Sequence, residues 1–251
     1  MRRLEVIGLE GLGDVRQGNS IGKLICHACS KLGVSLVEGD VLVVAHKIVS
    51  KAEGRIIRLD SIQPSARALE LSRDLDKDPF LLEIILRESR RIIRMGRGTI
   101  IVETHHGFIC ANAGVDLSNV GLGQAALLPQ DPDRSAEEIR KEIRQLSRIA
   151  PAVIISDSFG RPWRLGTVDV ALGVSGLKPL KDYRGKSDRY GYGLKASVAG
   201  VADEIASAAE LVMGKKSEIP VAIIRGYGAK GEDGSVRELL RPEAEDLFRN
   251  F

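Results

Sequence analysis

The chain has 251 residues, of which 43% are hydrophobic and 28% charged, the composition of an ordinary globular protein with a sizeable core. A net charge of +3 is too small to argue for a nucleic-acid partner, and no apolar run is long enough to cross a bilayer. The N-terminus, Met1-Arg2-Arg3-Leu4-Glu5-Val6-Ile7, lacks the apolar stretch and small-residue cleavage site of a signal peptide, so a cytoplasmic protein is expected.

In chain order, residues 4–9 read as a short strand ending in a glycine-rich turn. Residues 20–32 read as an amphipathic helix with Ile21, Leu24, Ile25 and Ala28 near its buried side. This helix carries Cys26 and Cys29; Cys110 is the third cysteine. The count is odd, and no second ligand pair at zinc spacing accompanies the C-x-x-C, so the cysteines are read as small core hydrophobes. Residues 41–45 are continuously apolar and β-branched, as expected of a strand buried on both faces, and residues 46–54 leave it as a polar segment. Helices are expected at 65–74 and 80–89, and strands at 92–93 and 99–103. His105-His106-Gly107 is a hairpin turn before Phe108-Ile109-Cys110. Ser135 with Glu138 forms a capping box for a helix reaching about residue 148. Further strands are expected at 152–156, 168–177 and 221–224, with the longest helix at 196–213 and a short terminal helix at 243–249. Residues 184–193, polar and glycine-rich, are the best candidate for a mobile loop or hinge. The mixture of strands and helices makes the class α/β or α+β.

Generic catalytic motifs are missing: no P-loop, no complete dinucleotide fingerprint, no nucleophile elbow and no H-E-x-x-H. Two segments stand out instead. Asn112-Ala113-Gly114-Val115-Asp116-Leu117-Ser118-Asn119-Val120 places polar groups straight after a strand, and Ile154-Ile155-Ser156-Asp157-Ser158 ends an apolar strand in an acid, a common site-lining position in open α/β sheets. Asp116 and Asp157 are therefore candidates to converge on magnesium or manganese, which takes one or two carboxylates with phosphates and water; Ser158 offers a hydroxyl beside Asp157. Lys51, Arg161, Arg164, Lys215 and Lys216 are available to neutralise phosphate oxygens. Spacing alone leaves the plainer alternative open: acids that cap turns, basic residues that are solvated surface charges, and a helix C-terminal turn at Met213-Gly214-Lys215-Lys216-Ser217.

These segments, with Glu38-Gly39-Asp40-Val41-Leu42-Val43-Val44, Ser50-Lys51-Ala52-Glu53-Gly54-Arg55, Leu127-Leu128-Pro129, Asp131-Pro132-Asp133, Asp157-Ser158-Phe159-Gly160-Arg161-Pro162-Trp163-Arg164 and Val201-Ala202-Asp203-Glu204-Ile205-Ala206, resemble the coenzyme F-420:L-glutamate ligase (F-420-0:gamma-glutamyl ligase) family over nearly the whole chain. The resemblance implies a mixed-sheet, two-lobed α+β fold without a P-loop, forming one ligase domain over residues 1–251 and no C-terminal nitroreductase-type domain. It implies a GTP-dependent ligase that joins L-glutamate to the deazaflavin precursor and then usually adds a second by a gamma link. The partners implied are these small molecules and a second copy in a homodimer, with no nucleic acid and no membrane. The cofactors implied are Mg2+ or Mn2+, two per site, with K+ helpful. Position by position, Asp116 and Asp157 match metal-binding acids, and Ser158 stands where relatives have Ser or Thr at a second metal. Nucleotide-contacting positions match Lys51, Asn119, the turn Leu12-Gly13-Asp14-Val15, the pair His46-Lys47, and the loop Met213-Gly214-Lys215-Lys216-Ser217-Glu218-Ile219. Lys215 falls where a relative has an acid. Asp116, Asp157 and Lys51 are the expected catalytic set. A folate or methanopterin acceptor, or a catalytically inactive nucleotide-binding homologue, remain the alternatives.

Overall fold

The computed structural model describes residues 3–96 and 98–248. In chain order the elements are β1 (Glu5–Gly8), α1 (Ile21–Leu32), β2 (Val41–Ala45), α2 (His46–Ala52), β3 (Ile56–Arg58), α3 (Ala66–Leu75), α4 (Pro79–Arg87), β4 (Ser89–Gly96), β5 (Thr99–Thr104), β6 (Ile109–Ala111), β7 (Gln124–Ala126), α5 (Pro132–Ser147), β8 (Ala152–Arg161), β9 (Arg164–Ser175), β10 (Leu180–Asp182), β11 (Val198–Gly200), α6 (Val201–Met213) and β12 (Val221–Arg225). This is the expected mixed α+β architecture.

The central sheet runs β1-β12-β2-β8-β9. Its β2–β8 pair is parallel, with Val41 opposite Ala152 and Ala45 opposite Ser156, and its other pairs are antiparallel. Val41, Leu42, Val43 and Val44 are all fully buried, as are Val221, Ala222 and Ile223, so both faces of the sheet are covered. Helices α1, α5 and α6 supply that cover: α1 packs on α5, α5 on β8 and β9, and α6 on β9, β1 and β12. A second hydrophobic core joins α3 and α4 to β5 and β7 through Leu71, Leu82, Ile84, Ile85, Ile100 and Val102.

Several elements differ from the sequence reading. Residues 46–52 form a helix rather than a polar connection, because Ile48, Val49 and Ser50 are buried; tertiary burial outweighs the weak helix preference of β-branched residues. Helix α5 starts at Pro132, with Asp131 as its cap accepting from the Arg134 N–H. The aspartate and the proline at the first helical position fix that start, so Ser135 lies a turn inside and bonds Glu53 instead of capping. Helix α6 starts at Val201 because residues 198–200 pair with β10; α5, not α6, is therefore the longest helix. The expected terminal helix is reduced to a 3-10 turn at Glu243–Glu245, and residue 249 lies outside the described residues. The expected loop at 184–193 carries one isolated bridge, Ser187 to Gly193.

The cysteines pack as expected of core hydrophobes. All three are free thiols. Burial pushes Cys29 up to about 11 and, with the nearby Asp157 carboxylate adding to the effect, Cys110 up to about 12.

Candidate active site

The site starts where β2 stops. Ala45 is the last residue of β2 and lies opposite Ser156 of β8, so past that point β8 has a ladder partner only in β9. The chain leaves β2 directly into α2, and the first two residues of α2 meet the two predicted acids. His46 is 2% exposed, and its Nε2 lies 3.3 Å from Asp157 Oδ1. The pair is close but not aligned for a hydrogen bond, which leaves His46 Nε2 a buried polar atom without a bonded partner. Lys47 Nζ lies 2.8 Å from Asp116 Oδ2 and donates to Ser118 Oγ at 2.8 Å. One turn further along, Lys51 Nζ lies 3.2 Å from Asp14 Oδ1, which ties α2 to the turn at residues 12–15. A single short helix thus links three segments that are far apart in sequence.

The environments of the two acids differ. Asp116 follows a 3-10 turn at Asn112–Gly114 and is held by an isolated bridge to Ala126. Burial raises its carboxyl pKa, but the hydrogen bonds from Lys47 and from the Ser118 N–H more than offset this, and the net result lies below the ordinary carboxylate range. Asp157 sits on a regular strand; Oδ1 accepts the Ser158 N–H at 2.8 Å, and its second oxygen makes no hydrogen bond among the described residues.

Successive strand residues face opposite sides, so the Ser158 hydroxyl does not share a face with the Asp157 carboxylate. It belongs to a second cluster that motif reading did not find. Asp169 lies directly opposite Ser158 on β9 and is 4% exposed. It accepts from Ser158 Oγ at 2.6 Å and from Ser156 Oγ at 2.8 Å. Lys215 Nζ, just past α6, donates to Ser158 Oγ at 2.9 Å. Helix α6 is anchored there by Ser207 Oγ donating to the Asp169 carbonyl and by Asp203 accepting the Ala171 N–H. The one sequence signal for Asp169 was an acid between two valines in an expected strand.

The remaining candidates divide. Leu12 and Val15 are core residues that fix the turn carrying exposed Gly13 and Asp14. Asn119 is exposed, with a left-handed backbone, next to Ser118. Within the 213–219 loop, Met213 is buried, and residues 214–218, Gly214, Lys215, Lys216, Ser217 and Glu218, are exposed. Ile219 packs beside Gly8, where an added Cβ would lie 3.0 Å from its side chain. Arg161 bonds the Leu165 carbonyl at the far end of the β8–β9 hairpin and does not join the acids. His105 and His106 contact the backbone carbonyls of Arg87 and of Pro129 and Gln130, as turn residues do.

Other motif residues are structural. Arg55 donates to the Leu128 carbonyl and pairs with Glu88, and Asp133 accepts the Val174 and Val236 N–H groups. A polar cavity of about 560 Å³ beside Asp133, lined also by Arg134, Arg140 and Arg237, opens near Ser175, which pairs with Val153, four residues and about 13 Å back along β8 from Asp157. Of its acids, Asp131 and Asp133 accept backbone N–H groups and Glu137 pairs with Lys141, and neither Asp116 nor Asp157 lines it.

A divalent cation fits these residues in one particular way. Among the described residues no group of three or more His, Cys, Asp or Glu is placed to cage an ion. Mg2+ and Mn2+ sites completed by a nucleotide need only one or two carboxylates. Asp157, with a free oxygen beside the unpartnered His46 nitrogen, offers one such carboxylate, and Asp116 contacts Lys47, the next residue of α2.

The fold is α+β, and the candidate site lies at the carboxyl end of the parallel β2–β8 pair, where ligands commonly bind in open sheets. The F420-0:Gamma-glutamyl ligase family model matches residues 11–226. The chain is 50% identical to the coenzyme F420:L-glutamate ligase of Methanothermobacter thermautotrophicus over 98% of its own length and 99% of that protein. It is 46% identical to the one from Methanocaldococcus jannaschii (99% and 98%) and 41% identical to the one from Archaeoglobus fulgidus (98% and 97%). The chain belongs to the F420-0:gamma-glutamyl ligase family. No described helix is long and apolar enough to cross a membrane.

Proposed function

We propose that the protein is a GTP-dependent coenzyme F420:L-glutamate ligase that forms an amide bond between L-glutamate and the glutamate-free deazaflavin precursor, then adds a second glutamate through its gamma carboxylate. The observation that supports this reading is the first turn of α2, whose adjacent residues His46 and Lys47 contact Asp157 and Asp116 respectively, in a chain matching the ligase family over residues 11–226.

A carboxylate does not condense with an amine at neutral pH, because oxide is too poor a leaving group. In the proposed reaction the acceptor carboxylate oxygen attacks the γ-phosphorus of GTP, GDP leaves, and an acyl phosphate forms. The glutamate nitrogen then attacks the acyl carbon, phosphate leaves, and the nitrogen loses a proton. The first step brings two anions together against about 4 kcal/mol per unit-charge pair at 4 Å and intermediate dielectric. Mg2+ or Mn2+ held by Asp157 and Asp116 would screen that charge. Lys47 and Lys51 present ammonium groups on the same helix, and Asp14 positions Lys51 beside the 12–15 turn. His46 Nε2 lies beside Asp157 on the buried side, 3.3 Å from Oδ1. The active unit is proposed to be a homodimer; the β8–β9 hairpin, where Trp163 is 81% and Leu165 96% exposed, supports burial of that arm against a second copy.

The test is incubation with the glutamate-free precursor, GTP, Mn2+ and L-glutamate, read by product mass. The expected result is mono- and diglutamyl product with stoichiometric GDP. GDP release without glutamyl product, or glutamylation without GTP, contradicts the reading.

A further inference from the structure

We propose that Lys215 is a tethered cation that fills the Ser158–Asp169 face of β8, so that the site binds a single divalent ion per chain, on the Asp157 face. The inference rests on the metal-dependent ligase reading above.

The argument begins with the two faces of β8. On one, Asp157 has a free oxygen and a buried, unpartnered His46 Nε2 at 3.3 Å, the features of a place that receives a ligand. On the other, Asp169 is 4% exposed and its two oxygens take the hydroxyl protons of Ser156 and Ser158. The lone pairs of Ser158 Oγ therefore face outward, as they would toward a cation. A cation is already there: Lys215 Nζ stands 2.9 Å from that oxygen. Glu210, one turn before the end of α6, faces the same group; burial and then the Asp169 charge raise its pKa, and Lys215 acts in the opposite direction. One ammonium thus serves the Ser158 hydroxyl and the Glu210 carboxylate.

A divalent ion bound to Ser158 Oγ would lie within a few ångströms of that ammonium. Like charges this close repel strongly at intermediate dielectric, and the ion carries two. Lys215 could vacate only by swinging into solvent from the turn after Gly214. That glycine has φ 54 and ψ 179, a backbone conformation that residues with a side chain rarely adopt. Tethering also spares the entropy of recruiting a free ion. The physical consequence is a site with one exchangeable divalent ion and one permanent positive charge, in contrast to the two ions implied by family resemblance.

The experiment counts Mn2+ bound per chain by electron paramagnetic resonance and equilibrium dialysis, with a non-hydrolysable GTP analogue present, for the wild type, Lys215→Arg, Lys215→Gln and Lys215→Glu. Lys215 is exposed, and circular dichroism checks the fold of each variant. The expected counts are one for the wild type and Lys215→Arg, and two for Lys215→Glu, with Lys215→Gln gaining a weaker second ion. A count of two in the wild type, or an unchanged count of one in Lys215→Glu, overturns the proposal while leaving the ligase reading intact. A count of zero throughout overturns both.

Discussion

The two acid segments carry the same residue types, an aspartate and a serine with a lysine in contact, on contrasting scaffolds. Asp157-Ser158 lies on a ten-residue strand at the edge of the fully buried β2–β8 pair, and Asp116-Leu117-Ser118 lies in an irregular stretch held by one isolated bridge. On the strand, alternation separates the acid from the hydroxyl, so each face has its own chemistry. In the loop, Asp116 and Ser118 curl onto one ammonium, that of Lys47. The regular strand leaves one Asp157 oxygen without a hydrogen bond; the irregular stretch folds Asp116 and Ser118 onto the same lysine. The strand acid should therefore do more for catalysis than the loop acid.

The largest effect expected from this contrast is loss of activity in Asp157→Asn, on the order of 10²–10³-fold in kcat/KM, with Asp116→Asn losing about 10–100-fold. Steady-state kinetics of the two variants side by side make the check, and a larger loss in Asp116→Asn reverses the assignment. Next comes Asp169→Asn. The amide keeps one acceptor for the two serine hydroxyls, so unfolding free energy should fall by about 1–3 kcal/mol, measured by urea titration. An unchanged midpoint means that the buried face of β8 is not held by this carboxylate.

The smallest effect is a pH dependence. The Asp116 pKa is lowered in the folded chain, so its contribution to stability is present above the ordinary carboxylate value of 3.8 and is lost as pH falls through the lower folded value. The stability gap between wild type and Asp116→Asn should thus be full at pH 6 and shrink below about pH 4. A gap that widens in acid contradicts the Lys47 pairing.

The contrast also explains what was legible in the sequence. The core strands were plain from runs such as Val41-Leu42-Val43-Val44, whose burial on both faces leaves no alternation to misread. The place of Asp157 at the end of such a run, Ala152 to Ser156, was legible too. Helix α2 was not, since His46, Lys47 and Lys51 give its exposed side the look of a connection, and only packing shows Ile48 and Val49 buried. Asp169 escaped because its partners, Ser156 and Ser158, are cross-strand neighbours fixed by register, which no local pattern encodes. Much of the motif signal that marks the family, such as Arg55 on the Leu128 carbonyl and Asp133 on Val174, serves the fold rather than the chemistry.

The most direct test is a crystal structure with Mn2+ and a non-hydrolysable GTP analogue, reading the anomalous signal of manganese. The metal should lie about 2.0–2.2 Å from an Asp157 carboxylate oxygen, with the terminal phosphates between it and the first turn of α2. Manganese and phosphates found instead in the cavity beside Asp133, or an Asp157 that remains without a ligand, would contradict the account.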